Sequence, residues 1–122
     1  MAKIVVAEDD KVSRSIIVSV IESMGHTAIQ SSDGLRAFYV IQDNPDSKML
    51  ITDMEMPNLS GRELLVKLKA CKNCSRVPVL VISGAIGPKA IDELLTAGAV
   101  AFLGKPINAY LLREYIAENL EA

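Results

Sequence analysis

Five times along 122 residues, a short run of β-branched and leucine side chains gives way to a segment whose apolar residues recur at helical spacing. Few folds satisfy such an alternation. Strand–helix units in series require a parallel sheet, right-handed crossovers and helices on both faces. The runs are Ile4–Ala7, Thr27–Gln30, Met49–Thr52, Val79–Ile82 and Val100–Gly104. The second is the weakest and suits an edge, whereas Val79–Ile82 is apolar throughout and suits burial on both faces.

The intervening segments read as helices with recognisable ends. Asp10 is placed to cap the first, in which Val12, Ile16, Val20 and Met24 recur at four-residue spacing, Ile17 and Ile21 widen the face, and Gly25 supplies a left-handed stop. The second runs from about Gly34 to Gln42 and stops before Asn44-Pro45. Pro57, Asn58 and Gly61 break the chain before a third helix with Leu64, Leu65 and Leu68 on its buried stripe. Pro88 opens the fourth, where Ile91, Leu94 and Leu95 form the stripe and Gly98 ends it. The last helix spans about Asn108 to Leu120, burying Leu111, Leu112, Tyr115 and Ile116. With five strands at this length, the expected architecture is an α/β doubly wound, flavodoxin-like (βα)5 three-layer sandwich with strand order 2-1-3-4-5.

Composition narrows the function classes. At 50% apolar content the 122 residues fit a single domain, residues 1–122, and show no linker or internal repeat. A formal net charge of −2 argues against a nucleic-acid backbone or an anionic membrane as a direct partner. No apolar stretch approaches the ~20 residues that cross a bilayer, and Met1 leads straight into the first strand, so a cytoplasmic protein is expected. Cys71 and Cys74 make a C-x-x-C without the second ligand pair of a structural zinc site, and they fall where a helix runs out rather than where one begins. Ordinary reduced thiols are the expectation.

Four runs end in polar residues: Glu8-Asp9-Asp10, Asp53, Ser83 and Lys105. In an open parallel sheet, ligands bind beyond the carboxyl ends of the strands at the switch point of the strand order, here between strands one and three. Glu8, Asp9 and Asp53 sit at that point. Two carboxylates about 4 Å apart repel by ~4 kcal/mol at an effective dielectric of ~20, so three together must protonate, separate or hold a cation. All-oxygen ligation selects a hard divalent ion, and magnesium is the expected cofactor. Asp10 is read as a helix cap only. Lys105 can pair with a carboxylate at rest and with a phosphoryl oxygen when one is present, and the Ser83 hydroxyl can donate to another oxygen of that anion.

With these residues in place, the sequence resembles the receiver domain of bacterial two-component response regulators, the small CheY-like phosphoacceptor proteins. The resemblance spans residues 3–120 and is carried by Glu8-Asp9-Asp10, the Asp53–Gly61 segment, Ser83-Gly84 and Lys105-Pro106. It implies that Asp53 accepts a phosphoryl group from a phosphohistidine on a sensor histidine kinase or phosphotransfer protein. It implies too that Glu8, Asp9, Asp53 and the backbone carbonyl of Glu55 hold Mg2+. Ser83 corresponds to the switch hydroxyl, Lys105 to the cation that pairs with the phosphoryl group, and Phe102 to the aromatic that changes rotamer. A cis Lys105-Pro106 bond belongs to the same pattern. Glu55 and Ala85 flank the path of an attacking water in the family. The fourth helix, fifth strand and fifth helix would present the output face to a downstream effector, as a monomer or a phosphorylation-dependent dimer. Two other readings remain open: a receiver-like docking module without phosphoryl flux, and a Mg2+-dependent phosphohydrolase with an aspartate nucleophile. A P-loop fails, because Gly98 to Gly104-Lys105 has the wrong spacing and is followed by proline.

Overall fold

The computed structural model describes residues 1–84 and 86–121. Strands β1 (Lys3–Ala7), β2 (Thr27–Ser31), β3 (Met49–Asp53), β4 (Val79–Ser83) and β5 (Ala101–Gly104) alternate with helices α1 (Lys11–Ser23), α2 (Gly34–Asp43), α3 (Gly61–Lys69), α4 (Pro88–Thr96) and α5 (Ala109–Glu121). All pairings are parallel and the order is β2-β1-β3-β4-β5, the doubly wound arrangement that the alternation implies. Asp53 and Ser83 are the last residues of their strands rather than the first residues beyond them.

Side chains alternate across a strand, so a sheet covered twice makes two cores. Val5, Leu50, Val79 and Val81 face α2, α3 and α4, meeting Ala37, Leu64, Leu65, Leu68 and Leu94. Ile4, Val6, Ile51, Leu80 and Ile82 face α1 and α5, meeting Ile17, Ile21, Leu112 and Ile116. The interior strands β3 and β4 are buried at every position, which explains their unbroken apolar runs.

Several helix faces differ from the sequence expectation. In α1 the buried residues are Ile17, Val20 and Ile21, while Val12 is 70% exposed and Ile16 lies at the rim. A four-residue step overshoots a helical turn by about 40°, so a series from Val12 to Met24 winds off the core-facing stripe at its N-terminal end. Leu95 in α4 and Leu111 in α5 are likewise exposed, leaving Leu94, Leu112 and Ile116 to anchor those helices. Val100 stands outside β5 and is exposed.

The helix starts are locally encoded. Asp10 Oδ2 accepts from Ser13 N–H at 2.9 Å, Asp33 Oδ1 accepts from Leu35 and Arg36, and Asn108 Oδ1 accepts from Tyr110 and Leu111. At α3 a reciprocal capping box forms: Ser60 Oγ accepts from Glu63 N–H at 3.1 Å, and Glu63 Oε1 accepts from Ser60 N–H at 3.0 Å. Because this cap fixes the end of the loop after Asp53, Ser60→Ala is expected to cost about 1 kcal/mol, read as a lowered urea midpoint at unchanged slope.

Candidate functional site

Glu8 leaves β1 with its N–H donating to the Ser31 carbonyl on β2 at 2.9 Å, which turns its side chain into the molecule rather than out to solvent. It is fully buried. Its Oε2 accepts from Asp10 N–H at 3.2 Å, and Arg14 Nη1 donates to its carbonyl oxygen at 3.0 Å. That arginine contact comes from the first turn of α1 and has no signal in the sequence beyond a basic residue on a polar face.

Asp53, also buried, ends β3 between the neighbouring strands β1 and β4. Its Oδ1 accepts from Met54 N–H at 2.7 Å. The chain then reverses: Gly61 N–H donates to the Met54 carbonyl at 2.8 Å, and Asn58 takes a left-handed φ of +67°. Asn58 also donates to Asp33 at the cap of α2, tying this loop to the β2–α2 connection. A Cβ on Gly61 would overlap the Asp53 carbonyl oxygen. Gly61→Ala must therefore push the acceptor loop or the head of α3 outward, at an expected cost of about 1–3 kcal/mol in thermal or urea unfolding.

Carboxylate oxygens of Glu8, Asp9 and Asp53 all come within 4.8 Å of one another, with Asp9 exposed and the other two buried. Lys105, after β5, reaches into this group: its Nζ stands 2.9 Å from Glu8 Oε1 and 3.1 Å from Asp53 Oδ2. The Asp53 contact has hydrogen-bond geometry. At Glu8 Oε1 the ammonium is close but off-angle, so this buried oxygen keeps its charge contact while lacking a hydrogen bond. Burial first, and then the neighbouring Asp53 carboxylate, push the Glu8 carboxyl up to about 7 against the opposing pull of Lys105. For Lys105, burial works against the charge, but the close contacts with the Glu8 and Asp53 carboxylates prevail and hold the ammonium above its usual range.

A cavity of about 220 Å3 opens beside this cluster, lined by Asp53, Glu55, Ser83, Gly84 and Lys105. Ser83 is buried at the end of β4, paired in register with Gly104, and its carbonyl accepts from Lys105 N–H at 2.8 Å. The Lys105-Pro106 peptide bond is cis. Glu55 is exposed at the cavity rim, and Phe102 is half-buried against the core on the α4 side of the sheet. Ala85 lies outside the described residues. A larger hollow of about 600 Å3 lies at the opposite end of the sheet, near Lys48, Lys69, Arg76 and Leu120, and among the described residues that line it there is no Asp or Glu.

The structure thus gathers Glu8, Asp9, Asp53, Ser83 and Lys105 at one sheet edge. The donor set fits a hard divalent cation: it is all oxygen, it crowds negative charge, and it includes a buried carboxylate oxygen without a hydrogen bond. On the other side stand an ammonium and a hydroxyl, both suited to an anion.

An open doubly wound sheet with an acidic cluster at its switch point and a lysine beyond β5 defines an α/β domain built to receive a small ligand at its carboxyl edge. Residues 4–117 match the response regulator receiver domain, and the chain belongs to that family. It is 29% identical over 119 residues to a chemotaxis protein CheY homolog of Campylobacter jejuni, covering 97% of this chain and 92% of the relative. It is 32% identical over 104 residues to the two-component response regulator ORR11 of Oryza sativa, covering 85% and 71% respectively. Among solved structures, a response regulator receiver domain protein from Clostridium thermocellum superposes with a TM-score of 0.90 at 25% identity, covering 99% of this chain and 95% of that one. Among the described residues no helix is long and apolar enough to cross a membrane.

Proposed function

We propose that residues 1–122 act as one phosphoacceptor receiver, in which Asp53 takes a phosphoryl group from a phosphohistidine of a sensor histidine kinase or phosphotransfer protein. The observation that carries this reading is the single cluster in which Lys105 Nζ bridges Glu8 and Asp53 beside a small open cavity. The Asp53 carboxylate attacks phosphorus in line with the departing imidazole, forming an acyl phosphate as the phosphorus–nitrogen bond breaks. Glu8, Asp9, Asp53 and the Glu55 carbonyl are the proposed holders of Mg2+. When bound, the ion neutralises charge on the transferred oxygens.

The loose transition state of phosphoryl transfer places its charge on equatorial oxygens, so positioning and neutralisation do most of the catalysis. Lys105 supplies a cation that keeps its proton, and Ser83 supplies a hydroxyl that donates to the anion. The Met54 N–H orients the acceptor carboxylate. The chain catalyses only its own phosphorylation and dephosphorylation, with the phosphodonor and then water as co-reactants. Phosphorylation adds about 1.5 to 2 negative charges at a fixed point, which draws on the Ser83 hydroxyl and biases the α4–β5–α5 surface toward an effector protein. A cytoplasmic setting agrees with that chemistry.

Intact-mass measurement after treatment with acetyl phosphate and Mg2+ tests the proposal. The expected result is a gain of one phosphoryl group in the parent, none in Asp53→Asn, and none in the parent when a chelator removes the metal. Equal labelling of parent and variant would place the acceptor elsewhere. No labelling of either, with Mg2+ shown to bind, would make the domain a docking module.

A further inference from the structure

We propose that Cys71 and Cys74 are a redox-modification site, closing to an intramolecular disulfide by exchange with small-molecule disulfides such as oxidised glutathione. The pair lies where α3 has ended at Lys69 and before β4 begins at Val79. Cys71 N–H donates to the Leu68 carbonyl at 3.0 Å, and Cys74 N–H donates to the Cys71 carbonyl at 3.1 Å. The second bond closes a four-residue turn, Cys71-Lys72-Asn73-Cys74, and such turns hold their first and last Cα atoms within ~7 Å. A disulfide needs Cα atoms about 4.4–6.8 Å apart, so the backbone is already in the required range.

The side chains point at each other. The thiols are free and in hydrogen-bond contact, with sulfurs 2.7 Å apart. Their surroundings divide the two roles. Cys71 is partly exposed at the surface, whereas Cys74 is 1% exposed within the core that faces α3. The hydrogen-bond contact with Cys74 holds the Cys71 thiol below its usual range, helped by neighbouring backbone and by Gln42. Burial, and next the Cys71 contact, push the Cys74 thiol up to about 11. A partly exposed thiol that ionises more readily than usual, beside a buried one that ionises less readily, is the arrangement of an attacking and a resolving cysteine.

The steps balance without further reagents. The Cys71 thiolate attacks one sulfur of the small disulfide, forming a mixed disulfide and expelling one thiolate. Cys74 then gives its proton to solvent base and attacks the Cys71 sulfur, expelling the second thiolate. The pair loses two protons and two electrons, and the small disulfide takes up both to become two thiols. In a glutathione-buffered compartment such a pair rests reduced and closes transiently. A zinc half-site is the competing use of C-x-x-C, but among the described residues the cysteines join no metal-capable cluster, the one such group being Glu8, Asp9 and Asp53. The turn lies at the opposite end of β4 from Ser83, so this chemistry is separate from phosphoryl acceptance.

The test treats the full reduced chain with oxidised glutathione under native conditions, quenches with acid, alkylates and measures intact mass. The expected parent is monomeric, lighter by two hydrogen atoms and resistant to alkylation. Cys74→Ala is expected to stop as a glutathione adduct on Cys71, and Cys71→Ala to remain unmodified. Should Cys74→Ala fail to fold, peptide mapping of the parent at early times replaces it, with the transient adduct expected on Cys71. Two alkylatable thiols left in the parent, an adduct on Cys74, or disulfide-linked dimers would each overturn the proposal.

Discussion

Lys105→Met is expected to slow phosphoryl acceptance from acetyl phosphate by about 10²–10³-fold, the usual loss when one preorganised donor to a developing oxyanion is removed. The argument is geometric. Lys105 Nζ is held within 3.1 Å of the Asp53 carboxylate, so it lies alongside any group attached there. Methionine keeps most of the stem length and packing but supplies no charge. Mg2+ binding should survive the change, because the substitution removes a competitor for Glu8 and Asp53 and leaves every oxygen donor in place. Single-turnover labelling and a Mg2+ titration of the same preparation separate the two effects. A variant that labels at the parental rate would remove Lys105 from the chemistry.

The second large effect concerns stability in the absence of metal. A carboxyl whose pKa is raised from 4.5 to about 7 on folding favours the folded state when protonated, so its contribution is complete below about 4.5 and is lost as pH climbs through 7. Glu8→Gln has nothing to titrate. In chelator, the parent should therefore be less stable than Glu8→Gln at pH 8, by on the order of 3 kcal/mol, and the gap should close by pH 4.5. Comparing the two proteins is necessary because Asp10, Asp33, Asp46 and Glu63 shift the other way through hydrogen bonds and ion pairs, and their stabilisation falls as pH falls. Denaturant melts across that range provide the measurement. Adding Mg2+ at pH 8 should restore the parent and leave Glu8→Gln almost unmoved. Equal stabilisation of both by Mg2+ would remove Glu8 from the ligand set.

Much of this was legible in the residues because a doubly wound sheet is a strongly patterned object. Two-sided burial forces unbroken apolar runs at Val79–Ile82 and Met49–Ile51, and the ends of those strands mark the edge where the acidic cluster gathers. The helix faces were less legible. Val12 and Leu95 sit at plausible periodic positions yet face solvent, because spacing alone does not say where the centre of the stripe lies. Loop geometry was less legible still. Nothing in the order Asp33, Asn58 and Gly61 announces that one loop clasps another, and C-x-x-C does not disclose that its middle pair forms a hydrogen-bonded turn. The contact of one ammonium with two carboxylates depends on register between β1, β3 and β5, which emerges only when the strands are assembled.

Lys105, just past the end of β5, donates its main-chain N–H to the carbonyl of Ser83 at the end of β4, so the amine and the alcohol share one rung at the edge of the ladder. An incoming anion that tugs one of them inward must carry its companion along or break that rung. A displacement of either backbone at this edge is therefore expected to be felt by its companion, so that amine and alcohol respond to an arriving charge as neighbours on one shared contact.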